Sequence, residues 1–294
     1  MQVASFDIYA REYEALKRQS RRYISNIFFD APALQTLMAE KPCLFFVAEH
    51  CFFLLVPYHG KYYDCLYMAT EYASLEQGLA ALLAGWDIPM PIRASVIGKE
   101  PIAGTVADIF SQHGLVLVKK LVRTEIQTCS DQMSEALNDL AAENVRSVSF
   151  AEESDADAVL ALLLEYFDLY ADNIPERSRI LEAIRNRYVV VIKIEGEIAA
   201  LHYFEMKNRL RHGLFDLTIK KHRQKFLFFA LYKFLDEYFK QQEIEITRSF
   251  GWKDQTKKKL MRLSKKQNQY FDGVVFYQML RQCDANTVNR ADKK

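Results

Sequence analysis

From Leu44 the chain runs through three strand-like segments, a helix, a strand, a helix and a last strand that ends near Ile126. From Tyr188 the same order is written again and ends near Leu280. A repeated βββαβαβ order constrains the fold more than any single motif, because it points to duplication of one unit and few folds have that order. The residues themselves do not repeat. A chain of 294 residues is long enough for two domains that each bury a core. Half the residues are hydrophobic, with 20 Phe and 16 Tyr, which suits packed domains rather than a disordered chain. The expected class is α/β (α+β): two tandem domains, each a mixed, mainly antiparallel sheet flanked by helices.

Local signals place the elements. An opening helix is expected where Tyr9, Tyr13 and Leu16, then Tyr23, Ile24 and Ile27, recur at near-helical spacing. Pro32 suits the first turn of a second helix, Ala33 to Ala39. CLFFVAE, CFFLLVPY and KYYDCLYMAT read as strands. Ser74, with Gln77 three residues on, reads as the capping box of a helix closed by Gly85. Pro101 and Gly114 bracket the next helix, and LVLVKKLVRTEI is the last strand of the half.

A polar stretch then separates the halves. The expected division is an N-terminal domain over 1–130, a linker over 131–146 with a helix across Met133–Ala142, and a C-terminal domain over 147–294. In the second half Ser154 or Asp155 caps an apolar helix, and a short helix follows from Pro175 to Arg187. YVVVIKIEGEIAALHYFEM is a hairpin turning at Glu195-Gly196. RHGLFDLTIKK is the third strand, Gln224 to Phe239 a Phe-rich helix, EIEITRSF a strand, Lys253 to Lys266 a basic helix and FDGVVFYQML the closing strand.

Several function classes are disfavoured at this level. A formal net charge of +1 argues against nucleic-acid binding by bulk electrostatics. Cys43, Cys51, Cys65, Cys129 and Cys283 show neither CxxC pairing nor metal spacing, so buried reduced thiols and no metal are expected. The opening residues lack the apolar core of a signal peptide, and apolar runs of about ten residues are too short to span a bilayer. The expectation is a cytoplasmic protein with no membrane association.

Three segments of the second half resemble the GNAT acyltransferases, the acetyl-CoA-dependent N-acetyltransferases. They are the acidic opening SFAEESDADAVLALL, the hairpin VVVIKIEGEIAALHYFE and the strand-loop-helix DLTIKKHRQKFLFFALYKFLDEYF. The resemblance covers Val148 to about Leu280; the first half matches only in the order of elements. It implies acetyl-CoA or another acyl-CoA as co-substrate, held by the end of the signature strand at Leu217 and Ile219 and by the turn into the helix. There, backbone N–H groups at a helix N-terminus hold the pyrophosphate. The family pattern falls on Arg223, Gln224, Lys225, Phe226, Leu227 and Phe228, just after His222, and both positions that the family keeps small, Phe226 and Phe228, are Phe. That departure leaves two readings open: the N–H groups still bind phosphate, helped by Lys220, Lys221 and the other basic residues, or Phe226 and Phe228 fill the cleft.

Acyl transfer from a thioester to an amine needs a base, and a donor for the departing thiolate. By the resemblance, Asp216 on GLFDLTI is the first candidate base and Glu205 on the preceding strand the second. A carboxylate in so apolar a strand is expected to have a raised pKa. Tyr270 is the nearest Tyr to the family's acid position. His202 reads as a core histidine, and Tyr232 and Tyr238 as packing residues of the signature helix. The first functional reading is transfer of an acyl group, acetyl foremost, from coenzyme A to a small-molecule or peptide amine by the C-terminal domain, the N-terminal one being degenerate. The alternatives are a Fem-like transferase drawing on aminoacyl transfer RNA, to which the basic segment at 253–266 would suit, and a non-catalytic binding protein. A monomer or a homodimer is compatible with either.

Overall fold

The computed structural model describes residues 1–126, 147–225, 227–254 and 270–282, the side chains of Ile126, Gln224 and Lys225 excepted. It divides into two compact units, Met1–Lys120 with the segment from Val274 onward, and Leu121–Gly273. The linker helix expected over Met133–Ala142, Cys129, Cys283, Phe226 and most of the basic stretch lie outside the described residues.

The first half contributes β1 (Gln2–Val3), α1 (Phe6–Gln19), β2 (Ile24–Ser25), α2 (Ala31–Glu40), β3 (Leu44–Ala48), β4 (Cys51–Tyr58), β5 (Tyr62–Ala69), α3 (Tyr72–Ala84), β6 (Ile92–Lys99), α4 (Glu100–Gln112) and β7 (Val116–Ile126). The second contributes β8 (Val148–Phe150), α5 (Ala156–Tyr166), α6 (Arg177–Arg185), β9 (Val189–Ile194), β10 (Glu197–Lys207), β11 (Leu210–Thr218), α7 (Leu227–Gln241), β12 (Arg248–Asp254) and β13 (Tyr270–Arg281). The expected order of elements is therefore present in both halves, save the final helix of the second, which falls at positions 255–269, outside the described residues.

In the first unit β3, β4 and β5 form an antiparallel meander, β6 joins β5 in parallel, and β13 pairs with β6 from Val274↔Lys99 to Arg281↔Ile92. α1 and α2 bury Tyr9, Leu16, Leu34 and Met38 against Phe52, Leu54 and their neighbours on one face of the meander. In the second unit β8, β9, β10 and β11 are antiparallel, β12 joins β11 in parallel, and Leu121–Ile126 of β7 pairs with β12. Alternation along β9 sorts its side chains to opposite faces. Val189 and Val191 pack under α5 and α6, while Val190 and Ile192 pack under α7. The β9–β10 turn has Glu195 at φ 56° and Gly196 at φ 83°, as a two-residue hairpin of right-handed twist requires.

Local expectations changed in several places; β12, for one, runs over Arg248–Asp254 and so takes in Lys253 and Asp254, expected to open the basic helix. α1 ends at Gln19, so Tyr23, Ile24 and Ile27 are not helical; Ile24 and Ser25 pair instead with Ala69 and Met68 of β5. α3 begins two residues before Ser74, with Glu71 at the cap, and the buried Ser74 hydroxyl donates to the Glu71 carboxylate at 3.4 Å. Near the start of the second half Asp155 forms a reciprocal capping box with Glu152, not a simple cap on α5. No described helix is long and apolar enough to cross a membrane.

Candidate active site

The second unit is split along one line. β11 and β12 pair in parallel from Leu210↔Arg248 to Gly213↔Gly251 and then part. β12 continues to Asp254 against β7, and β11 continues to Thr218 against β10. The parting coincides with a bulge: Tyr203 pairs with Phe215 and Phe204 with Gly213, so Leu214 is an extra residue on β11. A bulge bends and over-twists its strand, which turns the rest of β11 away from β12. The Ile219 N–H donates to Ala199 O at 3.0 Å. Antiparallel alternation then points the main-chain groups of residues 217 and 215 at β10, and those of Asp216 and Thr218 into the gap.

A polar cluster lies beside the vertex of this gap, on the face covered by α7. His202 and Asp216 are cross-strand partners, and His202 Nδ1 is 2.7 Å from Asp216 Oδ1. Tyr232 of α7 donates its hydroxyl to both Asp216 oxygens, at 3.1 and 3.0 Å. The imidazole, only 1% exposed, is stacked on Phe204 at 5.3 Å and lies 4.7 Å from the Tyr232 ring. Its Cε1 is 3.5 Å from where a Cβ on Gly213 would stand, which puts the ring over the last residue of β11 that pairs with β12. Among the described residues, its buried Nε2 has no hydrogen-bond partner. Arg211 extends the cluster: its Nε donates to Ser249 Oγ at 3.0 Å, and its guanidinium lies 5.5 Å from the Tyr232 ring centre and 3.6 Å from Asp236. Phe228, Tyr232 and Asp236 recur every four residues and so form one stripe of α7.

Desolvation pushes the Asp216 carboxyl upward, but the His202 charge and hydrogen bond, Lys253 and the Tyr232 hydroxyl together draw it down to about 2. The raised pKa expected from the apolar strand is thus overturned by neighbours from β10, α7 and β12. Asp216 is ionised throughout the neutral range and is by itself a weak base.

The other expected site residues scatter. Glu205 is exposed, three positions from His202 on β10, and therefore on the opposite face. Tyr270 is 59% exposed at the start of β13. The Leu217 side chain is buried in the α5–α6 core, leaving only its backbone to the strand, and Ile219 ends the pairing with β10. The turn Lys220–Lys225 is a 3-10 helix in which His222 N–H donates to Ile219 O at 3.0 Å and Arg223 Nε to Thr218 O at 3.3 Å. No residue of it has positive φ, so its path makes no demand for glycine. Gln224 and Lys225 belong to this turn by their backbone, Phe226 is outside the described residues, and Phe228 is half-buried with its ring 3.9 Å from that of Phe229. The described residues hold no group of three or more His, Cys, Asp or Glu able to bind a metal.

The first unit has a counterpart split with a different content. β5 and β6 pair only at Tyr63↔Ile92 and Asp64↔Arg93. The gap beyond is bridged by Asn26, which is 5% exposed. Its Nδ2 donates to Cys65 O of β5 at 2.9 Å and to Ser95 O of β6 at 3.0 Å. Its Oδ1 accepts from Tyr67 N–H at 2.8 Å, and its own N–H donates to Tyr67 O at 3.3 Å. The positions of β4 and β5 near this gap carry Leu54↔Leu66 and Phe52↔Met68, with no His–carboxylate pair.

His202, Tyr232 and Asn26 were not expected to take part. The turn at Asn208-Arg209 fixes Lys207 opposite Leu210, which by counting brings His202 within one residue of Asp216; only the bulge at Leu214 supplies the last step. Nothing in the sequence marks Asn26.

No family model and no curated protein matches the sequence. Solved structures do match in fold. A GCN5-related N-acetyltransferase from Sphaerobacter thermophilus superposes with a TM-score of 0.52 at 10% identity, over 79% of this chain and 76% of its own. A GNAT-family acetyltransferase from Colwellia psychrerythraea gives 0.52 at 8% identity, over 96% and 99%. A tandem GNAT protein from the clavulanic acid biosynthesis pathway gives 0.51 at 11% identity, over 88% and 97%. With the strand order, the split sheet and these likenesses together, the chain has the fold of the GNAT acyltransferases, its element order present twice.

Proposed function

We propose that the second unit is an N-acyltransferase that moves an acyl group, acetyl foremost, from coenzyme A to an amine, and that the first unit has lost this capacity. The observation that carries the reading is the gap between β11 and β12, lined by main-chain groups and floored at its vertex by the His202–Asp216–Tyr232 cluster. Coenzyme A would supply the acyl group as a thioester. The amide-bearing arm suits the main-chain N–H and C=O of Asp216 and the N–H of Thr218, which face the gap where no described strand pairs with them; the Thr218 C=O accepts from Arg223 Nε at 3.3 Å. The N-terminal end of α7 and the basic residues Lys220, Lys221 and Arg223 suit its phosphates. Phe228, on the stripe of α7 that carries Tyr232, does not remove these donors, because a backbone N–H needs no glycine to donate.

The first unit supports the assignment by contrast. Its corresponding gap holds the chain's own residues 24–26, an extended amide-bearing segment in the place such an arm would take.

Titrating the melting temperature with acetyl-CoA, coenzyme A and a transfer RNA pool tests the proposal, since a ligand of the native state raises it. A rise with the coenzyme A species is expected. No rise with any of them refutes it, and a salt-sensitive rise with transfer RNA alone favours the aminoacyl transferase instead.

A further inference from the structure

We propose that His202, through Nε2, takes the proton from the nucleophile during acyl transfer, with Asp216 and Tyr232 as the residues that position it. The inference rests on the reading of the second unit as a thioester acyltransferase and assigns the base to a residue other than the carboxylate of the signature strand.

Three observations carry it. The imidazole is tethered at one nitrogen only: Nδ1 is bound to Asp216, whose two oxygens are both held by Tyr232. A carboxylate on Nδ1 fixes the tautomer with the proton on that nitrogen and leaves the Nε2 lone pair free. Second, Nε2 is buried without a partner among the described residues, in a ring that is 1% exposed. An orphaned polar atom so deep in a well-packed face needs an explanation. Third, the ring lies over Gly213, where β11 and β12 part, so the orphaned nitrogen is adjacent to the vertex at which an arm threaded along the gap would end.

The step balances. The nitrogen lone pair of the amine forms a bond to the thioester carbon, the carbon–sulfur bond breaks, and the proton lost by nitrogen passes to Nε2. The imidazolium so formed sits against the ionised Asp216 and then returns the proton to the departing sulfur, so coenzyme A leaves as the thiol and His202 ends neutral. With water as nucleophile the same transfers yield the free acid. Among the described residues, the charged and titratable groups around the ring include Asp216 and Arg211 of β11, Tyr232 and Asp236 of α7, and Lys253 of β12.

The test uses the full chain with acetyl-CoA, in His202→Ala, His202→Asn and the parent. Calorimetry reads acetyl-CoA affinity. Thiol release, with water or an accepted amine as nucleophile, reads chemistry from pH 6 to 9. Nitrogen-15 imidazole spectra read the ring itself. The expected result is affinity unchanged within about threefold and thiol release reduced by roughly 100-fold or more, the range of a lost general base. Added imidazole should restore part of the rate in His202→Ala, and the parent's Nε2 resonance should move on saturation with acetyl-CoA. His202→Asn serves if the alanine variant fails to fold. Thiol release within about twofold of the parent in a variant that still binds, or an Nε2 resonance indifferent to acetyl-CoA, overturns the role of His202. Loss of acetyl-CoA binding by the parent itself overturns the reading of the unit.

Discussion

Replacing Asn26 with alanine removes a side chain that ties the parted strands of the first unit. Three hydrogen bonds go with it: Nδ2 to Cys65 O, Nδ2 to Ser95 O, and Tyr67 N–H to Oδ1, at 2.9, 3.0 and 2.8 Å. A buried hydrogen bond contributes about 0.5–1.5 kcal/mol net, and a polar group left buried and unpaired costs about 1–3 kcal/mol. Because three main-chain groups are stranded at a buried position, the expected loss is about 3–5 kcal/mol, at the severe end for a single substitution. Asn26→Asp separates shape from chemistry. It keeps the volume but puts carboxylate oxygens against two carbonyls, so it is expected to be at least as damaging. Urea unfolding followed by Trp86 fluorescence, which reports on the first unit, is the assay. A change below about 0.5 kcal/mol in both variants would refute the claim that Asn26 bridges the gap, since that is the range of an ordinary surface substitution.

Other outcomes follow from single contacts. The folded pKa of Asp216, about 2, lies below its ordinary 3.8, so its contribution to stability is present above about pH 4 and is lost as pH falls through 2; Asp216→Asn should flatten this part of an acid-unfolding curve. Gly78→Ala would place a Cβ 2.1 Å from Cys51 Sγ and is expected to destabilise by about 1–3 kcal/mol. Adding Cys51→Ala should recover part of that loss, and strictly additive effects would contradict the contact. Burial pushes the Cys43 and Cys51 thiols up to about 11 and Cys65 higher still, so peptide mapping at pH 8 should find these three cysteines alkylated no faster than the unit opens. Tyr232→Phe removes one donor from Asp216 and should slow thiol release less than His202→Ala does; an equal loss would make Tyr232 more than a positioning residue.

The architecture was legible because it rests on periodicity and turn chemistry. Glu195-Gly196 fixes the hairpin, Gly85 and Gly114 end their helices, and alternation in VVVIKI sorts two cores. The site was legible only in part. Asp216 could be placed by resemblance, but its ionisation depends on His202 one strand away, Tyr232 one helix away and Lys253 beyond the gap, none of them its neighbour in sequence. His202 in a run of apolar residues looks like any core histidine until the bulge at Leu214 sets it opposite a carboxylate. The segment Tyr23–Ile27 misled for a related reason: its apolar spacing suits a helix, yet the parted edge of β5 offers main-chain partners that no periodicity records.

Calorimetric titration of the intact chain with acetyl-CoA tests the central claim most directly, because the two gaps make opposite predictions. The second unit's gap is lined by main-chain groups that no described strand pairs, and the first unit's is filled by Asn26. The account predicts one site per chain, unaffected by substitutions at Asn26 that leave the second unit folded. Two equivalent sites, or none, would contradict it.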